Sequence, residues 1–276
     1  MDRIAYASFA QLEDSHFWFV SRRRIFFDLL DRALAGQRGL RVLEIGCGAG
    51  GLLGPLQRYG AVHGLDVDRE YVAFCKERGF DRVLCGSGYE LPFADASFDL
   101  VALFDTLEHI PDDRRALREV LRVLRPGGTV FVSAPAYQWL WSQNDRIAHH
   151  HRRYTCRRLR TAMCEAGLVP ARLTYFNTLL LPLIVPAILW QKLRERLGLL
   201  PPGYNNTSVG VPRLLNRLFT VVMSSERRWL RRFAFPFGHS VIGIARKAAG
   251  EAAATPHTAP GRATGEAVAA GAQRRD

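Results

Sequence analysis

At 276 residues, with 48% hydrophobic and 23% charged side chains, the chain can bury a sizeable core, which excludes a disordered or fibrous class. Five scattered cysteines without a C-x-x-C pair argue against a disulfide framework or a zinc site and suit a reducing cytoplasm. The formal charge of +12 is concentrated in two segments, Arg146 to Arg160 and Arg213 to Arg232, so an anionic partner or surface is expected there.

The N-terminus has no apolar h-region, so no signal peptide is expected. Asp14 to Ala35 has helical periodicity, with Phe19, Phe26, Leu29, Leu30 and Leu34 near one face. Strands are then expected at Leu40–Ile45, Ala61–Asp66, Arg82–Cys85, Phe98–Phe104 and Thr129–Ala134. They alternate with helices at Gly51–Tyr59, Arg69–Arg78, Asp112–Leu124 and Thr155–Glu165, a pattern that argues α/β with a mostly parallel sheet and helices on both faces. Pro126-Gly127-Gly128 reads as a turn between a helix and the next strand. Leu168–Phe176 reads as a further strand. Leu179–Trp190 is apolar but short and broken by Pro182 and Pro186, against a membrane span of about 20 residues. Pro201–Val211 reads as a loop. Pro212–Phe233 is amphipathic, with Leu215, Leu218, Phe219, Val222, Trp229 and Phe233 at helical spacing, and Ser240–Ala245 reads as the last strand. The expected organisation is an N-terminal helical cover over 1–36, a catalytic domain over 37–247 with an insertion at about 177–237, and a disordered tail over 248–276.

The stretch VLEIGCGAGG, Val42 to Gly51, fits both G-x-G-x-x-G and G-x-G-x-G. Both spacings let the backbone turn tightly and approach a ligand at the end of the first strand. Glu44 discriminates between ligands: a carboxylate there would repel a pyrophosphate and suits a ligand carrying ammonium and sulfonium groups. Asp66 ends the second strand, where an acid accepts hydrogen bonds from ribose hydroxyls.

VLEIGCGAGG, GLD at Gly64–Asp66, LPFADASFDLV at Leu91–Val101, LFDTLEHI at Leu103–Ile110 and LRVLRPGGTVFVSAP at Leu121–Pro135 together resemble the class I S-adenosylmethionine-dependent methyltransferases of the type 11 group. The resemblance implies a Rossmann-like seven-stranded, mostly parallel sheet with an N-terminal helical cover and a helical insertion before the last strand. It implies that Glu44 and the Gly46–Gly48–Gly50 backbone face the methionine part of S-adenosylmethionine, with Cys47 a small filler inside that loop. Asp66 would hold the ribose, Val67 would pack near the adenine, and Phe104 and Asp105 would line the site. Relatives often place an acid after the glycine that Gly86 matches; Ser87 stands here instead, a weaker acceptor.

Two histidine regions are candidates for acid–base work. His109 follows the fourth strand and suits either a base or an orienting role. After the fifth strand, NDRIAHHHRRY offers Asp145, His149, His151 and Tyr154 as an acid–base and orienting set, with Arg152 and Arg153 as anion holders. No metal is expected, since three adjacent histidines do not easily converge on one ion. Tyr137, Trp139 and Trp141 are expected either to wall the acceptor pocket or to pack the lid. The expected activity is O-methylation of a small-molecule, glycan or lipid-linked acceptor by a cytoplasmic protein, whose 177–237 insertion reads either as a peripheral contact with an anionic inner membrane surface or as a folded lid with its apolar residues in the core. The alternatives are a nucleic-acid methyltransferase, disfavoured by the absence of an N/D-P-P-Y/F motif, and a non-catalytic cofactor-binding or membrane adaptor protein.

Overall fold

A computed structural model describes residues 12–199 and 211–249. Residues 201–210 of the expected Pro201–Val211 loop and residues 250–276 of the expected disordered tail lie outside the described residues. Seven strands form one sheet: β1 (Leu40–Ile45), β2 (Gly60–Asp66), β3 (Val83–Cys85), β4 (Phe98–Phe104), β5 (Leu124–Pro135), β6 (Val169–Phe176) and β7 (Ser240–Arg246). Their order is β3-β2-β1-β4-β5-β7-β6. β7 runs antiparallel to both neighbours, and the remaining pairs are parallel. β1 and β4 are central and buried on both faces, which explains their nearly unbroken apolar sequences. The strand order reverses beside β1, so ligands are expected at the carboxyl ends of β1 and β4.

Helices α1 (Phe17–Ala33), α2 (Leu53–Leu56), α3 (Arg69–Glu77), α4 (Asp113–Val123), α5 (Gln143–Ile147), α6 (Cys156–Glu165), α7 (Leu181–Arg196) and α8 (Arg213–Leu230) surround the sheet. On one face, Leu117 and Val120 of α4 and Leu159 and Met163 of α6 pack against Val101, Leu103 and Val130. On the other, α1 and α8 bury Phe26, Leu30, Met223 and Leu230 against Phe104, Phe131 and Phe176. Phe26 stacks on Phe104 with ring centroids 5.3 Å apart.

Three sequence expectations change. The helix expected over Gly51–Tyr59 shrinks to four residues, because Gly54 and Pro55 both disfavour a helix interior. The Pro126–Gly128 turn lies inside β5, where the register against β4 jumps from Phe98–Leu124 to Leu100–Thr129. The segment expected to be broken by prolines is one helix, α7: Pro182 falls in its first turn, where the missing N–H has no helical partner, and Pro186 alone interrupts the ladder.

The buried face of α8 is also rotated from the expected one. Met223, Ser224, Glu226 and Leu230 are buried, while Leu215, Leu218, Trp229 and Phe233 are exposed. Glu226 sets this orientation. Its carboxylate accepts from the backbone N–H groups of Asn177, Thr178 and Leu179 at 2.7–2.8 Å, satisfying the chain between β6 and α7. Burial raises its pKa against the opposing effect of these three donors. α8 is also fastened to α1: Phe17 N–H donates to Asn216 Oδ1 at 2.7 Å, Ser224 Oγ to Ser21 Oγ at 3.2 Å, and Arg231 pairs with Asp28. Cover helix and insertion helix therefore form one layer.

Candidate active site

The glycine loop leaves β1 with Gly46, Gly48 and Gly50 all at positive φ, +73°, +52° and +81°. At Gly46 a side chain is excluded twice, by this backbone and by the Thr106 side chain where a Cβ would stand. Around Gly48 the space is open. Asp66 shapes the loop from β2: Gly48 N–H donates to Oδ2 at 2.8 Å and Asp68 N–H to Oδ1 at 3.0 Å. Each oxygen keeps a lone pair for a further donor. Val67 beside it is 78% exposed, so an apolar face is available at the strand end. Ser87 is exposed, with its Oγ accepting from Tyr89 N–H at 3.2 Å.

Glu44 is 3% exposed, and its Oε2 has no hydrogen-bond partner. Burial and then the nearby Glu13 carboxylate push its pKa well above the usual range. Glu13 belongs to the segment before α1 and lies where a Gly51 side chain would stand, so the cover reaches over the loop. Cys47 is buried; its thiol pKa is raised by hydrogen bonding with Cys75 and by burial, so it is no nucleophile at neutral pH.

At the end of β4, the Phe104 ring points into the core between Phe26 and Phe131 rather than toward the loop. Asp105 does reach the mouth, in a left-handed conformation with φ +51°. Its N–H donates to Ser133 O at 3.1 Å, Ser133 Oγ donates to its Oδ1 at 2.9 Å, and Arg22 of α1 pairs with its Oδ2.

The histidine region differs from its sequence reading. Asp145 is 1% exposed and fully engaged: Arg153 Nε and Nη2 donate to it at 2.8 and 2.9 Å, and Ser142 N–H at 2.7 Å. Burial alone would raise its pKa, but hydrogen bonds from His150 and Arg153 hold the carboxyl well below the usual range. Arg153 is thus consumed by Asp145 and Arg152 by Asp113, so neither is a free anion holder. Tyr154 is buried with its hydroxyl on Asp113 at 2.7 Å. His149 and His151 are exposed and do not join Asp145. The middle histidine does: His150 Nδ1 lies 2.9 Å from Asp145 Oδ1, and its ring meets His109 edge-on at 4.6 Å between centroids. Glu108 lies beside them, 1% exposed with an unpartnered Oε2. His109 is open to solvent on one side, yet partial burial and then His150 lower its pKa to about 4, so its ring is neutral at physiological pH. Nearby, Tyr137 stacks on Tyr175 at 5.2 Å, and Trp139 is 54% exposed.

Sequence reasoning missed Glu13, Arg22, Glu108, Ser133 and His150. Arg22 lies four residues before Phe26, on the covered face of α1, which is the one signal that pointed to it.

Residues 43–132 match the family model of a methyltransferase domain. The chain is 39% identical over 129 residues to a "Probable S-adenosylmethionine-dependent methyltransferase" of Mycolicibacterium smegmatis, covering 45% of this chain and 48% of that protein. Residues 43–132 therefore form a methyltransferase domain, of the class I S-adenosylmethionine-dependent kind. It is 33% identical over 136 residues to the 27-O-demethylrifamycin SV methyltransferase of Amycolatopsis mediterranei, covering 44% and 49%. It is 42% identical over 97 residues to the phthiotriol/phenolphthiotriol dimycocerosates methyltransferase of Mycobacterium tuberculosis, covering 33% and 36%. The matches span half or less of these relatives' lengths. A solved methyltransferase from Archaeoglobus fulgidus shares the fold, with TM-score 0.50 and 20% identity over 81% of this chain and 94% of that one. S-adenosylmethionine is the cofactor this methyltransferase class implies. The site's chemistry suits it: Glu44 offers a buried, unpaired carboxylate oxygen to a cationic ligand, Gly46 and Gly48 keep the loop free of side chains, and Asp66 retains acceptor capacity.

Proposed function

We propose that the protein O-methylates a small-molecule, glycan or lipid-linked acceptor. When bound, S-adenosylmethionine supplies the electrophilic methyl group. Glu44 and the 46–50 backbone hold its methionine end, Asp66 its ribose, and Val67 and Ser87 its base, while Asp105, fixed by Arg22 and Ser133, closes the mouth. The observation that carries the O-methyl reading is the convergence of Glu108, His109 and His150 beyond the end of β4, where an acceptor's hydroxyl proton can be taken up. Asp145 is a positioning residue that orients His150, and His149 and His151 face solvent. The names of the Amycolatopsis and Mycobacterium relatives, one an O-methyl transfer and one a lipid substrate, support the acceptor class. The test is transfer from methyl-labelled cofactor to a panel of hydroxylated lipids and small molecules. His109→Ala is expected to lower kcat by about 10²–10⁴-fold with cofactor affinity unchanged. Transfer by this variant at the wild-type rate would refute the assignment.

The insertion supports a contact with an anionic bilayer at the cytoplasmic face. Among the described residues no helix is long and apolar enough to cross a membrane. Instead Leu183, Leu189 and Trp190 of α7 and Leu214, Leu218 and Val221 of α8 are 51–79% exposed. Arginines 194, 196, 213 and 217 lie on the same helices, so apolar insertion and anionic headgroup attraction can act together. Co-sedimentation with anionic vesicles at low salt is expected, and weakened by Trp190→Ala; a protein left in the supernatant would refute the contact.

A further inference from the structure

Glu108, His109 and His150 each offer one ligand atom, and these atoms lie within 4.8 Å of one another. They come from two segments: Glu108 and His109 from the turn after β4, and His150 from the chain following α5. The burial of Glu108 is only partly offset, by its own backbone N–H and by the charges of Arg22 and Arg153. Its side chain is 1% exposed, and Oε2 has no hydrogen-bond partner. An unpaired buried carboxylate oxygen is costly, and a cation in the space it shares with the two rings would offset that cost.

One of the two imidazoles is already prepared as a ligand. His150 Nδ1 lies 2.9 Å from Asp145 Oδ1, and Asp145 is held as the anion by Arg153 and Ser142. A proton on Nδ1 therefore faces the carboxylate, and Nε2 presents its lone pair. His109 is the exposed member of the group, its ring edge-on to that of His150 at 4.6 Å between centroids. Carboxylate and backbone acceptors behind histidines are what orient imidazoles around a metal ion. Of the three adjacent histidines only His150 takes part, so the objection that neighbours cannot converge does not apply.

We propose that Glu108, His109 and His150 bind a divalent first-row transition-metal ion. Two imidazole nitrogens and a carboxylate oxygen suit zinc, manganese or ferrous iron, and suit calcium and magnesium poorly. His109 is open to solvent, so coordination positions remain where water or an acceptor oxygen can enter. This deepens the O-methyltransfer reading and rests on it for the acceptor: with an ion bound, the two histidines would be ligands rather than the base, a hydroxyl held on the ion would release its proton to water, and its oxygen would form the new bond to the methyl carbon as the methyl–sulfur bond of S-adenosylmethionine breaks and S-adenosylhomocysteine leaves.

The experiment is equilibrium dialysis of the untagged, chelator-stripped full chain against Zn²⁺, with elemental analysis, and Co²⁺ titration read by visible absorption. Neither cofactor nor acceptor is present, so a failure to bind metal is separate from a failure to transfer methyl groups. One ion per chain is expected. Affinity should fall at least about tenfold in Glu108→Gln and in His150→Ala, and about 10–100-fold in Asp145→Asn through the outer hydrogen bond. His149→Ala and His151→Ala should bind as wild type. Circular dichroism of each metal-free variant identifies any that has unfolded, and the remaining ligand variant then decides. No stoichiometric binding, undiminished binding in both folded ligand variants, or an equal loss in His149→Ala would overturn the proposal.

Discussion

Replacing Asp145 with Asn separates a positioning carboxylate from an acid–base one. The Asp145–Arg153 pair is almost completely buried, at 1% and 6% side-chain exposure, and two-pronged, at 2.8 and 2.9 Å. Asparagine keeps the volume but removes the charge and turns one acceptor into a donor facing Arg153 or Ser142. Arg153 is then left charged without a counter-ion, held only by the remaining amide oxygen and by the Ala136 carbonyl at 3.1 Å. Breaking one partner of such a pair costs about 3–5 kcal/mol. In a domain of this size each kcal/mol lowers Tm by about 2–4 °C, so a fall of about 6–20 °C is expected by calorimetry or circular dichroism. His150→Ala, which removes a single charged hydrogen bond, should cost only about 1.5–3 kcal/mol. Because Asp145 has a folded pKa below its unfolded one, its contribution is fully present above about pH 4 and is lost as pH falls toward the folded value. The gap between wild type and variant should therefore narrow on acidification. A loss below about 1 kcal/mol at pH 7, or a gap indifferent to acid, would refute the reasoning.

Glu44→Gln should weaken S-adenosylhomocysteine and S-adenosylmethionine binding by calorimetric titration, and yet raise the Tm of the ligand-free protein. The sign follows from the raised folded pKa of Glu44: stability is lost as pH rises through it, and a neutral amide removes that loss. A variant that binds like wild type would refute the role of Glu44. Gly46→Ala should cost more stability and affinity than Gly48→Ala, by about 1–3 kcal/mol, because only Gly46 faces the Thr106 side chain; equal losses in urea titrations would refute this. Glu226→Gln should destabilise by about 2–4 kcal/mol in urea, since an amide nitrogen would face backbone N–H donors at 2.7–2.8 Å. An unchanged midpoint would show that the β6–α7 junction finds other partners.

The parts of the fold legible in the sequence are those where one local rule decides. Strands β1 and β4 stood out as apolar runs because both their faces are buried, and Gly46, Gly48 and Gly50 because the loop holds all three at positive φ, with Thr106 also against Gly46. What failed depends on partners distant in sequence. The periodicity of α8 counted only apolar residues, and its buried face is centred on Glu226, whose three donors lie 47–49 residues away. Asp145 looked like a free carboxylate because nothing local marks Arg153 as its partner. Likewise, no rule distinguishes His150 from His149 and His151 in HHH; the helical turn before it aims one ring at Asp145 and leaves its neighbours in solvent.

The cover and the insertion bear on the same site. Arg22 of α1 pairs with Asp105 at the cofactor mouth and stacks over Phe19 at 4.7 Å, so the position of α1 determines the position of Asp105. α1 is in turn held by α8 through Asn216, Ser224 and Arg231. α8 carries apolar residues on two opposite faces. Phe219, Met223 and Leu230 meet α1 and the sheet, and Leu214, Leu218 and Val221 are exposed. Lys192 of α7 donates to the Trp139 carbonyl at 2.7 Å, tying the second insertion helix to the segment after β5. A bilayer engaging the exposed face of α7 and α8, as proposed, would therefore act on both sides of the mouth: through α1 on Asp105, and through Trp139 on the segment that delivers His150. On that reasoning vesicles should change cofactor affinity as well as protein location, and Arg22→Met should uncouple the two, leaving vesicle binding intact while removing its effect on S-adenosylhomocysteine titrations.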